Sequence, residues 1–140
     1  MTRYETAADR AREARVAAAL GRAWQVEMRP TGENCGYDLI AFRAVGVIEI
    51  KCQLTRSPED YDGTLFLDVH KRDALLAGAA DLCVDSAKHV WAFPGEARWI
   101  EARDVDGRPA VTIGRRDRGN PADIHPTIRV RLDETGRVRL

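Results

Sequence analysis

Residues 47–53 read VIEIKCQ, and no other segment constrains the fold as tightly. Val47, Ile48 and Ile50 favour a β-strand. Glu49 and Lys51 lie two apart within it, so they project to the same face. A strand this apolar that carries a carboxylate and an ammonium side by side needs something beside it to account for both charges.

The preceding segment, YDLIAFR (37–43), is also strand-like, and Gly46 lies in the short connection between the two. A loop over 43–46 sets Asp38 opposite Lys51 and Ile40 opposite Glu49. Opposed residues share a face, so Asp38, Glu49 and Lys51 converge on one patch, which Gln53 continues. Two neighbouring carboxylates repel each other and are stable together around a cation. Mg²⁺ suits them: it accepts one or two carboxylates, keeps several waters and leaves room for a phosphate oxygen. Such a metal lowers the pKa of a bound water and neutralises charge on a phosphodiester. A lysine beside it can orient or deprotonate that water and touch the phosphate.

The rest of the chain supplies a framework. Thr2 and Glu5 fit a capping box, followed by an alanine-rich helix that Gly21 is expected to end. Ala7, Ala11, Ala14 and Ala18 form its expected packing stripe. Residues 24–28 read as a short strand and 30–36 as a loop. TLFLDV (64–69) reads as a third strand, and residues 70–80 as a helix with Leu75 and Leu76 inward. Residues 81–85 and 89–93 read as strands. Asp106-Gly107 reads as a hairpin turn between RWIEAR and AVTIGR, and two more strands, 126–132 and 136–140, close the chain. Helix, three strands, helix, then strands describes an α/β or α+β domain with a mixed sheet.

Composition excludes some classes. At 140 residues the chain fits one domain, 1–140. Acidic and basic residues balance at 22 each, so any basic surface is local. No apolar run reaches the roughly 18 residues of a membrane span. The charged N-terminus does not read as a secretory signal, and Cys35, Cys52 and Cys83 have no paired spacing. Reduced thiols and a cytoplasmic location are the expectation.

Asp38, followed after ten residues by Glu49-Ile50-Lys51 on neighbouring strands after a helix, resembles the PD-(D/E)xK nuclease superfamily, which includes restriction endonucleases and Holliday-junction resolvases. The family core is helix, three-stranded meander, helix, strand. The resemblance covers about residues 4–93 and leaves about 96–140 as a β-rich extension. Tyr37 stands where the motif name has Pro. The resemblance implies a restriction-endonuclease-like fold and Mg²⁺- or Mn²⁺-dependent hydrolysis of DNA. Asp38, Glu49 and Lys51 would be catalytic, with Asp38 and Glu49 holding the metal. A first-helix glutamate often joins the metal site in this family, and Glu13 is the candidate. Gln53 matches a polar position that often follows the lysine. The resemblance leaves endo- or exonuclease action open and allows a homodimer.

Lys71 and Arg72, at the start of the second helix, and Arg56, in a charged loop, are candidate nucleic-acid contacts. Arg129, Arg131, Arg137 and Arg139 could form a basic strand face. Plainer readings stand beside these. Glu49–Lys51 also fits a surface salt bridge on an edge strand, and Asp38 a cap on the Gly36 turn. The Glu5, Asp9, Glu13 stripe fits a solvated helix face, and the basic residues fit polar surface. A nuclease-fold protein without catalysis, acting in nucleic-acid binding or assembly, is the alternative function.

Overall fold

The computed structural model describes residues 7–32, 35–41, 46–51, 56–114 and 124–140. The Thr2–Glu5 cap and Gln53 lie outside the described residues. The fold is α+β. Helix α1 (Ala7–Trp24) leads into strands β1 (Met28–Pro30), β2 (Leu39–Ala41) and β3 (Gly46–Lys51). Strand β4 (Thr64–Asp68) runs into helix α2 (Val69–Asp81), then β5 (Ser86–Phe93) and β6 (Glu96–Glu101). Strands β7 (Val111–Gly114), β8 (Ile124–Arg131) and β9 (Gly136–Arg139) complete the chain.

Two sheets form, ordered β1-β2-β3-β5-β6-β9 and β4-β8-β7. In the larger sheet only β3 and β5 are parallel; α2 lies on the connection between them. Helix α1 covers one face of this sheet, packing Val16, Ala17 and Leu20 on Leu39, Ile48 and Ile50. The other face is shared. Leu75 and Ala79 of α2 pack on Val47 and Ala87, while Leu65 and Ile128 of the second sheet pack on Trp91 and Phe93. Strand β3 is therefore central and covered on both sides, which explains its near-continuous hydrophobicity. It is not an edge strand. Trp91 is buried, and its indole N–H donates to the Phe66 carbonyl at 3.1 Å, tying the two sheets together.

Several expectations need correction. The Ala7, Ala11, Ala14, Ala18 stripe is exposed; Val16 and Leu20 carry the burial because larger apolar side chains remove more surface from water. Gly21 does not end α1. The helix runs to Trp24 and closes with Gln25 at φ 55° and Val26 N–H donating to the Gly21 carbonyl at 3.0 Å. A Cβ on Gly21 would lie 2.8 Å from the Val26 carbonyl oxygen, so the glycine serves a close approach. Residues 81–85 are not a strand. Cys83, at φ 54°, closes α2, with Val84 N–H on the Ala79 carbonyl at 2.9 Å. Strand β4 joins the second sheet, so the three-stranded meander is β1-β2-β3. The hairpin turn is Pro94-Gly95, between paired Phe93 and Glu96. Asp106-Gly107 follows a 3₁₀ turn (Ala102–Val105) and leads from one sheet to the other. Residues 96–140 are not appended to the core: β6 and β9 continue the larger sheet.

Candidate functional site

The observed register pairs Leu39 with Ile48, Ile40 with Val47 and Ala41 with Gly46. This differs by two residues from the expected one, because Gly46 belongs to the strand and not the loop. A Cβ there would meet Ser86 Cβ at 3.0 Å, so glycine admits the neighbouring strand. A two-residue shift preserves the side-chain alternation, so Asp38 and Glu49 remain on one face. Continued one step, this register places Asp38 beside Glu49.

Asp38 sits just before β2 and fastens to β3 twice. Its N–H donates to the Ile48 carbonyl at 2.9 Å, and its Oδ2 accepts from Ile50 N–H at 2.5 Å. These bonds straddle Glu49. Thr31 N–H holds the Asp38 carbonyl from the other side at 2.9 Å. Glu49 is only 7% exposed. Burial and then the Asp38 carboxylate push its pKa up to about 7, against the opposing pull of Lys71. Asp38 thus lies close enough to Glu49 for its charge to disfavour ionisation of Glu49.

Lys71 supplies the nearest ammonium. Its Nζ donates to Glu49 Oε1 at 2.5 Å from the first turn of α2. Desolvation opposes its charge, but Glu49, with help from Asp38 and Asp68, prevails and raises its pKa. Asp68 caps α2, its Oδ1 accepting from His70 N–H at 2.7 Å. Lys51 ends β3 and is exposed as a residue, yet protein crowds its ammonium. Desolvation and then Lys71 lower its pKa, with Asp68 opposing.

Asp38, Glu49, His70 and Lys71 line a cavity of about 1230 Å³ between α1 and α2. Glu13, half-buried, lines the same cavity. Among the described residues, no three His, Cys, Asp or Glu side chains are grouped to hold a metal. Helix α1 packs its apolar face on the side of the sheet opposite to Glu49, while Glu13 lines the cavity; Asp38 and Glu49 are the carboxylate pair, the charge of Asp38 acting on Glu49. That pair fits Mg²⁺, which needs no more than one or two carboxylates and completes its shell with water.

Arg72 is committed elsewhere, donating to the Val105 carbonyl at 3.2 Å and pairing with Asp73. Arg56 is exposed, outside the cavity lining. Arg131 pairs with Asp133, and Arg137 with Glu96. Arg10 lines the α1 wall of the cavity together with Arg22, for which the sequence carried no functional signal. His89 is the register partner of Glu49 on β5. His89 is 2% exposed, and burial, then Lys71 and Lys51, lower its pKa to about 3. Neither ring nitrogen has a hydrogen-bond partner among the described residues. Its alternation with Trp91 along HVWAF was the available signal.

Compared with protein-family models and with curated proteins, the sequence matches none. No helix among the described residues is long and apolar enough to cross a membrane.

Proposed function

We propose that this chain is a Mg²⁺- or Mn²⁺-dependent nuclease that hydrolyses phosphodiester bonds in DNA. One observation carries the reading: Asp38, bonded to β3 on both sides of Glu49, sets two carboxylates side by side at an open cavity with the Lys71 ammonium on Glu49. The PD-(D/E)xK resemblance of Asp38, Glu49 and Lys51, and the order helix, antiparallel meander, helix, parallel strand, support it. When bound, the divalent ion would supply Lewis acidity and a water of lowered pKa.

Asp38 and Glu49 hold that ion. The Asp38 carboxylate is oriented by Ile50 N–H, and the Glu49 carboxylate is fixed by a central strand. Lys51, with its lowered pKa, is suited to exchange a proton with the attacking water or to hydrogen-bond the phosphate. Arg10 and Arg22 give the cavity wall positive charge for a polyanion. The neutral His89 and apolar Trp91 close the site from below.

A second reading, a nuclease-fold protein that binds nucleic acid without cutting it, is favoured by the Glu49–Lys71 ion pair, which neutralises a carboxylate without any metal. Cleavage assays separate the two. Purified protein is incubated with duplex, single-stranded, flap and branched DNA, and with RNA, in Mg²⁺ and in EDTA. The nuclease reading expects cleavage that EDTA stops. It also expects Lys51→Ala to lose turnover while Mn²⁺ affinity changes less than about threefold. Binding without cleavage would establish the second reading.

A further inference from the structure

Lys71 holds the position that a metal needs. Its ammonium sits on Glu49 Oε1, and Asp38 adds to its electrostatic stabilisation. Lys51 places another positive charge near Lys71, whose ammonium disfavours that of Lys51. The layer beneath offers no compensation, because His89 is neutral and Trp91 and Ile100 are apolar. Asp68, the cap of α2, is the next carboxylate, and it supports the charge of both Lys71 and Lys51. Lys71 therefore already sits on Glu49, and the three carboxylates Asp38, Glu49 and Asp68 are set against two ammonium groups, Lys71 and Lys51. A divalent cation beside Glu49 would leave the cluster with excess positive charge unless an ammonium withdraws or an anion arrives. Lys71 has the means to withdraw: its side chain is half-exposed and lines a cavity of about 1230 Å³.

We propose that Lys71 is a resident cation that exchanges with the divalent metal at Glu49. Displaced into the cavity, its ammonium takes a backbone phosphate of the nucleic acid. Metal and nucleic acid then bind cooperatively, since each relieves the cost of admitting the other, and the coupling is reciprocal. The inference rests on the nuclease reading, but its test reads affinities and not cleavage.

Mn²⁺ is titrated by electron paramagnetic resonance at about pH 8.5, where carboxylates are ionised, into wild type, Lys71→Met, Lys71→Gln and Lys71→Arg. The two neutral variants should bind Mn²⁺ about tenfold tighter than wild type, and Lys71→Arg should stay near wild type. Lys71→Gln stands in if Lys71→Met does not fold. Duplex DNA affinity is then measured by fluorescence anisotropy in Ca²⁺ and in EDTA. Ca²⁺ should tighten binding by wild type, and by a smaller factor in the neutral variants. Equal or weaker Mn²⁺ affinity in both neutral variants would overturn the exchange and leave Lys71 as a group that merely positions Glu49; the nuclease reading would stand. Absence of Mn²⁺ binding in every protein would overturn both.

Discussion

Glu49 on β3 and Lys71 on α2, 22 positions apart in the chain, meet with carboxylate oxygen and ammonium 2.5 Å apart. This contact joins the central strand to the helix that crosses over to its parallel neighbour. It places a buried acid against a half-exposed base, next to a second acid, Asp38. Much of what the site can do follows from that unequal burial.

The first consequence is a pH dependence of stability. Glu49 has a folded-state pKa near 7, above its ordinary value of 4.5. Between these values the folded protein holds a proton that the unfolded chain has released, so this group's contribution favours folding less as pH rises. The loss amounts to at most about 3 kcal/mol between pH 4.5 and 7. Glu49→Gln removes the ionisation. Urea denaturation of both proteins at pH 5 and pH 8 should show the variant gaining on wild type at the higher pH. Parallel pH profiles would mean that Glu49 titrates normally.

Gly78 has a second role beyond helix geometry. A Cβ at this position would lie 2.3 Å from Tyr37 Cε1, inside any tolerable contact. Gly78→Ala gains about 1 kcal/mol of helix propensity. Overpacking against the ring costs about 1–3 kcal/mol and outweighs it. Because Tyr37 precedes Asp38, the displaced ring should also disturb the carboxylate pair. Thermal denaturation should show a net loss of stability, and Mn²⁺ affinity should fall with it. A stabilised Gly78→Ala protein would show that α2 and Tyr37 are not packed as described.

Far from the cavity, Arg108 and Glu134 fasten the turn after β8. Arg108 Nη2 donates to Glu134 Oε1 at 2.8 Å, and Arg131 N–H donates to Oε2 at 2.8 Å. The Arg108 hydrogen bond, then the Arg131 backbone, hold the Glu134 pKa down to about 2. This stabilisation is present above pH 4.5 and disappears as pH falls through about 2. Solvent screening limits it, so Glu134→Gln should cost about 1 kcal/mol at neutral pH. Urea titration should show that cost shrinking in acid. A cost that does not change with pH would point to packing and not charge.

Some of this was legible in the sequence. Alternation along VIEIKCQ and YDLIAFR put Asp38 and Glu49 on one face, and even a two-residue error in register could not move them apart. The second helix was legible to within a residue of its ends, whereas the first was read with the wrong packing stripe and ended too early. Gln25 and Cys83 close them in the left-handed region, where sequence reading looks for glycine or asparagine. Gly46 and Gly21 read as turn and cap because a close backbone approach leaves no local signal. Leu65 and Leu67 alternate in β4 whichever sheet it joins, so its partner β8 was hidden. Lys71 read as a candidate nucleic-acid contact and not as a partner of Glu49, because only the crossover brings α2 down onto Glu49.

Single-turnover cleavage of end-labelled DNA in Mg²⁺, with wild type beside Asp38→Asn and Glu49→Gln, tests the carboxylate pair most directly. Each substitution keeps the shape of the side chain and removes one charged oxygen donor from the metal. Wild type should cut at least one DNA substrate, and each variant should fall by about a thousandfold while remaining folded by circular dichroism. Wild type inert on every substrate at saturating metal, or Asp38→Asn cutting as fast as wild type, would contradict a metal-dependent nuclease centred on Asp38 and Glu49.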